Sequence, residues 1–265
     1  MSDPIDPPAE DPPAPVAASA PTANLGEQPS DLELLGVWAV CVIVVLPALT
    51  SGMSYELAGL IRPSYLEHLY FLAVAAADVA LVAVLVWRGG LASEAIGLTR
   101  PRWAADLGLG LLLTGAAWGS YIFLLSLLTE GARPESWYYH RGFPMRPVGP
   151  LSWVIASASA VAIGFAEELV FRGYLLTRLE RILQSPGWAV VVSSIAFGSC
   201  HLYQGFTGAV GAVVFGALMA LGFLATRRLW PVALAHSLYG ILVYLDTPAP
   251  EVVLDLQSFP TPSGW

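Results

Sequence analysis

Between Leu34 and Asp246 the chain is a succession of long apolar runs separated by short polar links. In hydrocarbon every backbone N–H and C=O must find its partner within the protein, so only helices and closed barrels can span. Runs near 20 residues match the helical span of a bilayer. The balance of residues agrees: 56% are hydrophobic, 12% are charged and the mean hydropathy is +0.65, whereas a soluble domain is about one quarter charged. The expected fold is therefore all-α, a polytopic membrane helical bundle of about seven transmembrane helices in the cell membrane.

The runs are Leu34–Leu49, Tyr70–Trp87, Ala104–Leu128, a fourth from Leu151, a fifth from near Trp188, Thr207–Ala225, and a seventh opened by Trp230-Pro231 and closing near Asp246. Residues 1–31 are rich in Pro, Ala and acids, with neither a basic n-region nor an apolar h-region, and read as a disordered tail. Residues 32–246 then form one membrane-embedded domain, and 247–265 a second, Pro-bearing tail. The link Gly89–Trp103 reads as interfacial and amphipathic, as does Gly173–Gln184. Trp137, Tyr138 and Tyr139 suit the headgroup belt, with His140 a loop residue beside them. On the sixth run Gly208, Gly211, Ala212, Gly216 and Ala220 have spacings that allow close helix approach.

Net charge is −8, but seven of the twenty acids lie between Asp3 and Glu33. The body is close to neutral, which excludes nucleic acid as a partner and leaves the lipid bilayer and a membrane-associated protein or peptide. Arginines cluster in the links after the second, fourth and sixth runs, and the positive-inside rule leans toward a cytoplasmic C-terminus and an external N-terminus. Cys41 and Cys200 both sit in apolar runs and read as buried free thiols.

Against this apolar background the stretch FAEELVFRGYLL, Phe165–Leu176, stands out. Charges at intramembrane depth are costly and mark sites unless paired. Residues four apart share a helix face, so Glu168 can pair with Arg172, while Glu167 lies about 100° round the helix and is left free. A helix end leaving the membrane also carries such pairs. Two further runs, however, bring His201 and His236 to the same kind of depth. A carboxylate with two imidazoles suits water activation, either directly as general base or around a divalent metal such as zinc. Asp78, alone in the second run, reads as a structural hydrogen-bonding residue or a support for the site. The chain has no HExxH, and neither Ser199 nor Cys200 can fold back along one helix onto His201.

These residues resemble a known pattern. EELVFR at Glu167–Arg172 is similar to the EExxxR motif of the CPBP family, the type II CAAX prenyl protease and bacteriocin-processing group of intramembrane proteases. FGSCH at Phe197–His201 resembles its FxxxH motif, and the segment leading into His236 its third motif, HxxxN. The likeness covers residues 164–244 in order and spacing. It implies an intramembrane endopeptidase acting on a prenylated or otherwise hydrophobic membrane-associated substrate. Glu167, His201 and His236 would be catalytic, or would hold a metal if one is used; Glu168, Arg172 and Phe197 would support them. One position departs: the expected Asn is Gly240, and the chain's only Asn is Asn24. In the family that Asn orients or stabilises the reacting oxygen, a task left here to Ser237, Tyr239, Gln204 or a backbone N–H. Such a donor is worth about 3 kcal/mol.

The departure keeps a second class open, a non-catalytic scaffold, immunity or assembly factor that binds peptides without cutting. A transporter is disfavoured because no internal repeat is evident. Counted from Leu151, Glu167 lies about 24 Å along its helix, and His201 about 20 Å along the antiparallel next one, so the two miss in depth unless the boundaries shift. A water and substrate route is expected from the Arg-rich side.

Overall fold

The computed structural model describes residues 29–46, 64–128 and 146–247. All regular structure among them is helical. Helix α1 (Asp31–Val40) opens on a capping box, in which Ser30 Oγ accepts from the Glu33 amide while Glu33 Oε2 accepts from the Ser30 amide. It continues as a π-helical turn, Cys41–Val45. Next come α2 (Ser64–Arg88) and α3 (Trp103–Leu128). Helix α4 (Pro150–Glu168) has proline at its first turn, where no N–H is missed. It runs without a break into a π-helical segment, Leu169–Leu176, and then α5 (Thr177–Leu183). Left-handed Gln184 stops that rod, and Ser185 caps α6 (Pro186–Ser199). Helices α7 (Gly205–Thr226) and α8 (Leu229–Asp246) complete the chain.

Five helical stretches are long and apolar enough to cross a membrane: 68–88, 103–127, 150–183, 202–226 and 229–246. Of the other two expected runs, the fifth forms α6, an apolar helix of only 14 residues. The first is described to residue 46. Residues 1–28 and 248–265 of the expected tails, and Trp137–His140, lie outside the described residues. Large side chains such as Leu112, Phe123, Leu151 and Phe206 point outward, the surface a polytopic bundle offers to lipid.

The 34-residue rod from Pro150 to Leu183 is the axis of the fold. At 1.5 Å per residue it is about 50 Å long, well beyond the ~30 Å of hydrocarbon. Its second half is enclosed, with residues 164, 166 and 168–180 all buried. The expected interfacial helix over 173–184 is therefore inside the bundle for most of its length. The link 89–103 differs similarly: Ile96 and Gly97 are buried, and the Leu229 amide donates to the Gly97 carbonyl at 2.9 Å. Gly97 has φ +79°, and a Cβ there would meet the Phe223 ring at 2.6 Å, so only glycine fits.

Apart from the Glu168–Arg172 pair, the buried ion pairs between arginine and acid are gathered at one end. Arg178 and Arg181 both donate to Glu33 Oε1, tying α1 to α5. Arg227 grips Glu180 with two nitrogens, and Arg228 grips Asp106 likewise at 2.7 and 2.8 Å. Hydrogen bonding by Asp106 holds the Arg228 guanidinium above its ordinary pKa. These pairs correct the expected placement of the termini. Glu33 puts the start of α1 at the Arg-rich end, and α8 carries the chain from beside Arg228 about 27 Å to the opposite end.

Lipid is as apolar as leucine, so helices associate through close packing rather than water exclusion. Helices α4 and α8 meet at Gly164, where a Cβ would lie 2.8 Å from the Ser237 amide nitrogen. Gly240 faces Ala160 one turn further on. In the sixth run Ala212, Gly216 and Ala220 are buried as their spacing implies, whereas Gly211 faces open space. Gly164→Leu should force α4 and α8 apart and destabilise the bundle by about 1–3 kcal/mol. Thermal unfolding of the detergent-solubilised protein measures this, with Gly211→Leu as a control expected to show little change.

Candidate active site

The register of one hairpin brings the site together. Glu167 precedes Ser185 by 18 residues and His201 follows it by 16, so the two lie level across the turn that joins α5 to α6. The depth mismatch expected from Leu151 vanishes because the turn, not the start of α4, sets the register. Helix α8 then lies against α4 through Gly164, and this brings His236 to the glutamates.

Glu168 and Arg172 are fully buried and paired at 2.9 Å, as the four-residue spacing implies. Arg172 also donates to the Gly216 carbonyl of α7 at 3.0 Å and lies 4.5 Å over the Phe197 ring. Glu168 Oε1 accepts a second bond, from His236 Nδ1 at 2.8 Å. The sequence offered no sign of this link, because it joins residues 68 apart. A carboxylate in this position only accepts, so it holds the proton on Nδ1 and leaves the His236 Nε2 lone pair free. That Nε2 lies 3.7 Å from Glu167 Oε2, close but beyond hydrogen-bond distance.

His201 is fixed by the same logic. Its Nδ1 lies 2.9 Å from the Phe197 carbonyl, which can only accept, so Nε2 is again the free acceptor. Phe197 sits between the two imidazoles, 4.7 Å from His201 and 5.9 Å from His236, and Phe215 covers His236 from α7 at 4.8 Å. Phe197 thus packs both histidines and Arg172.

Glu167, His201, His236 and Phe197 line one cavity of about 530 Å³. It extends along α8 to Asp246 and Thr247, the end opposite the arginine network. A route is expected from the Arg-rich side; the described lining reaches instead toward the other end. Asp78 and Cys200 also reach this cavity. Of the groups considered in place of the missing Asn, Tyr239 and Gln204 line it, while Ser237 is buried and donates to the Ala233 carbonyl instead. Gly240 is on the cavity wall.

Among the described residues no three His, Cys, Asp or Glu side chains are grouped to hold a metal ion. His236 Nδ1 and Glu168 Oε1 are committed to each other, so the donors left for a metal are Glu167 and the free Nε2 atoms of His236 and His201, which share the cavity without being grouped at ligand spacing.

Residues 149–242 match the family model described as type II CAAX prenyl endopeptidase Rce1-like. This segment is an Rce1-like domain of the CPBP family. No curated protein and no solved structure matches the chain. The matched span runs from the cap of α4 to the last turn but one of α8, and so includes Glu167, Glu168, Arg172, Phe197, His201 and His236. With five helices long and apolar enough to cross a membrane, the chain is a multi-pass membrane protein, and its residues 149–242 match a protease family.

Removing one partner from the buried Glu168–Arg172 pair leaves an uncompensated charge. Glu168→Gln should cost about 3–5 kcal/mol, visible as a lower unfolding temperature and folded yield in detergent. Glu168→Gln combined with Arg172→Met should recover part of that loss.

Proposed function

We propose that this chain is an intramembrane endopeptidase that hydrolyses a peptide bond of a prenylated or otherwise hydrophobic membrane-associated protein. The observation that carries the reading is the opposition of Glu167 Oε2 and His236 Nε2 across 3.7 Å on the wall of a largely apolar cavity. Glu167 takes a proton from water as the water oxygen attacks the scissile carbonyl carbon. His236 Nε2 accepts the water's remaining hydrogen and orients it, and His201 lines the cavity beside it. Collapse of the tetrahedral intermediate breaks the C–N bond, and Glu167 returns its proton to the departing nitrogen, giving a carboxylic acid and an amine. Glu168 and Arg172 act through His236, holding its ring and tautomer. Tyr239 O–H is placed on the same cavity to donate to the developing oxyanion. No step is routed through a metal; among the described residues no three ligating side chains are grouped.

Purified protein in proteoliposomes should cleave a lipidated or hydrophobic reporter peptide. Glu167→Gln should abolish turnover while leaving the unfolding temperature near that of the parent. Retained turnover in that variant would overturn the assignment.

A second reading, a peptide-binding scaffold without proteolysis, is favoured by one observation, Gly240. A side chain there is 3.3 Å from Ala160 Cβ, so Asn needs only a few tenths of an ångström of adjustment. Gly240→Asn should raise turnover by roughly 10- to 100-fold if the site lacks only an oxyanion donor. No cleavage by either form, with a cellular function that survives Glu167→Gln, would favour the scaffold.

A further inference from the structure

The proposed reaction leaves one intramembrane acid without a task. Asp78, midway along α2, lines the same cavity as Glu167 and both histidines. Among the described residues its carboxylate has neither a hydrogen bond nor an ion pair. An acid at membrane depth is costly unless something compensates it. Elsewhere in the bundle that rule is obeyed: Glu33, Asp106, Glu168 and Glu180 each meet an arginine. The cavity is the exception. Among the described residues its lining includes Asp78 and Glu167 but no arginine, and the chain has no lysine at all.

The remaining lining points the same way. Ten aromatic side chains face the cavity, and Trp118, Tyr121, Phe215 and Tyr239 pack against one another on one side of it. Aromatic faces attract cations, most strongly where water is excluded. An apolar segment bearing one positive group would therefore find both its body and its charge matched. A free carboxylate would face acids without a compensating arginine.

Resting on the peptide-binding reading of this cavity, we infer that Asp78 is a specificity-determining residue that pairs with a basic side chain of the substrate. The substrate class is then a hydrophobic peptide segment carrying Arg or Lys near the scissile bond.

The test uses the full chain in nanodiscs and fluorescent peptides that differ only in Arg, Gln or Glu at one position. Fluorescence anisotropy should show the Arg peptide binding at least about tenfold more tightly than the Glu peptide, the scale of one charge-assisted contact. Asp78→Asn should collapse that ratio toward unity, and Asp78→Glu, which keeps the charge, should retain it. In turnover, Asp78→Asn should raise KM for the Arg peptide while kcat holds. Equal binding of the peptides overturns the inference, as does an undiminished ratio in Asp78→Asn. So does a fall in kcat alone, which would mark a proton-transfer role instead. Absence of turnover by the parent with the binding ratio intact would overturn the proteolytic reading and leave this one standing.

Discussion

Four helical segments meet at the carboxylate of Glu168. It receives Arg172 from the next turn of its own rod and His236 from α8, and Arg172 passes the contact on to the Gly216 carbonyl of α7 and the Phe197 ring of α6. Neither charge of the pair is exposed. Glu168 Oε2 and Arg172 Nε nevertheless have no partner among the described residues. A buried pair with unmet valences is rarely the most stable filling for a core, and apolar residues of similar volume often do as well or better. Its value here lies in specificity: it sets the ring orientation and tautomer of His236 and thereby turns one imidazole nitrogen toward Glu167.

The change of helix type at this point has a physical role. The π-helical segment begins at Leu169, immediately after the two glutamates, and all eight of its residues are buried. A wider turn costs hydrogen-bond quality and persists where packing holds it, often beside functional groups. Here it is enclosed by the aromatic cluster of Phe171, Phe197 and Phe215 and by the Arg172 contacts to α7.

Charge is divided unequally along the bundle. At the Arg-rich end each buried acid is neutralised by an arginine, and these pairs lock α1, α3, α5, α7 and α8 to one another or to the links between them. In the cavity, Asp78 and Glu167 stand among aromatic walls, with no arginine among the described lining residues. One end of the bundle is therefore tied together by ion pairs, and the described cavity lies toward the other. Glu167, His201 and His236 line this space, and each imidazole keeps its Nε2 as an acceptor.

Much of this was legible in the residues alone. Apolar runs of membrane length dictate helices, since hydrocarbon offers the backbone no other partners. The spacing in EELVFR dictates that Glu168 and Arg172 pair while Glu167 turns elsewhere. Both are local consequences of chain geometry. Depth and register were not local. The level of Glu167 against His201 depends on where the rod ends at Gln184, and counting from Leu151 measured from the wrong end. The bond from Glu168 to His236, the anchoring of α1 by Glu33, and the side toward which the cavity extends each join residues far apart in the chain. Tertiary packing decided them, because side chains on separate helices meet only where the close contact at Gly164 and the buried ion pairs set the distance between those helices.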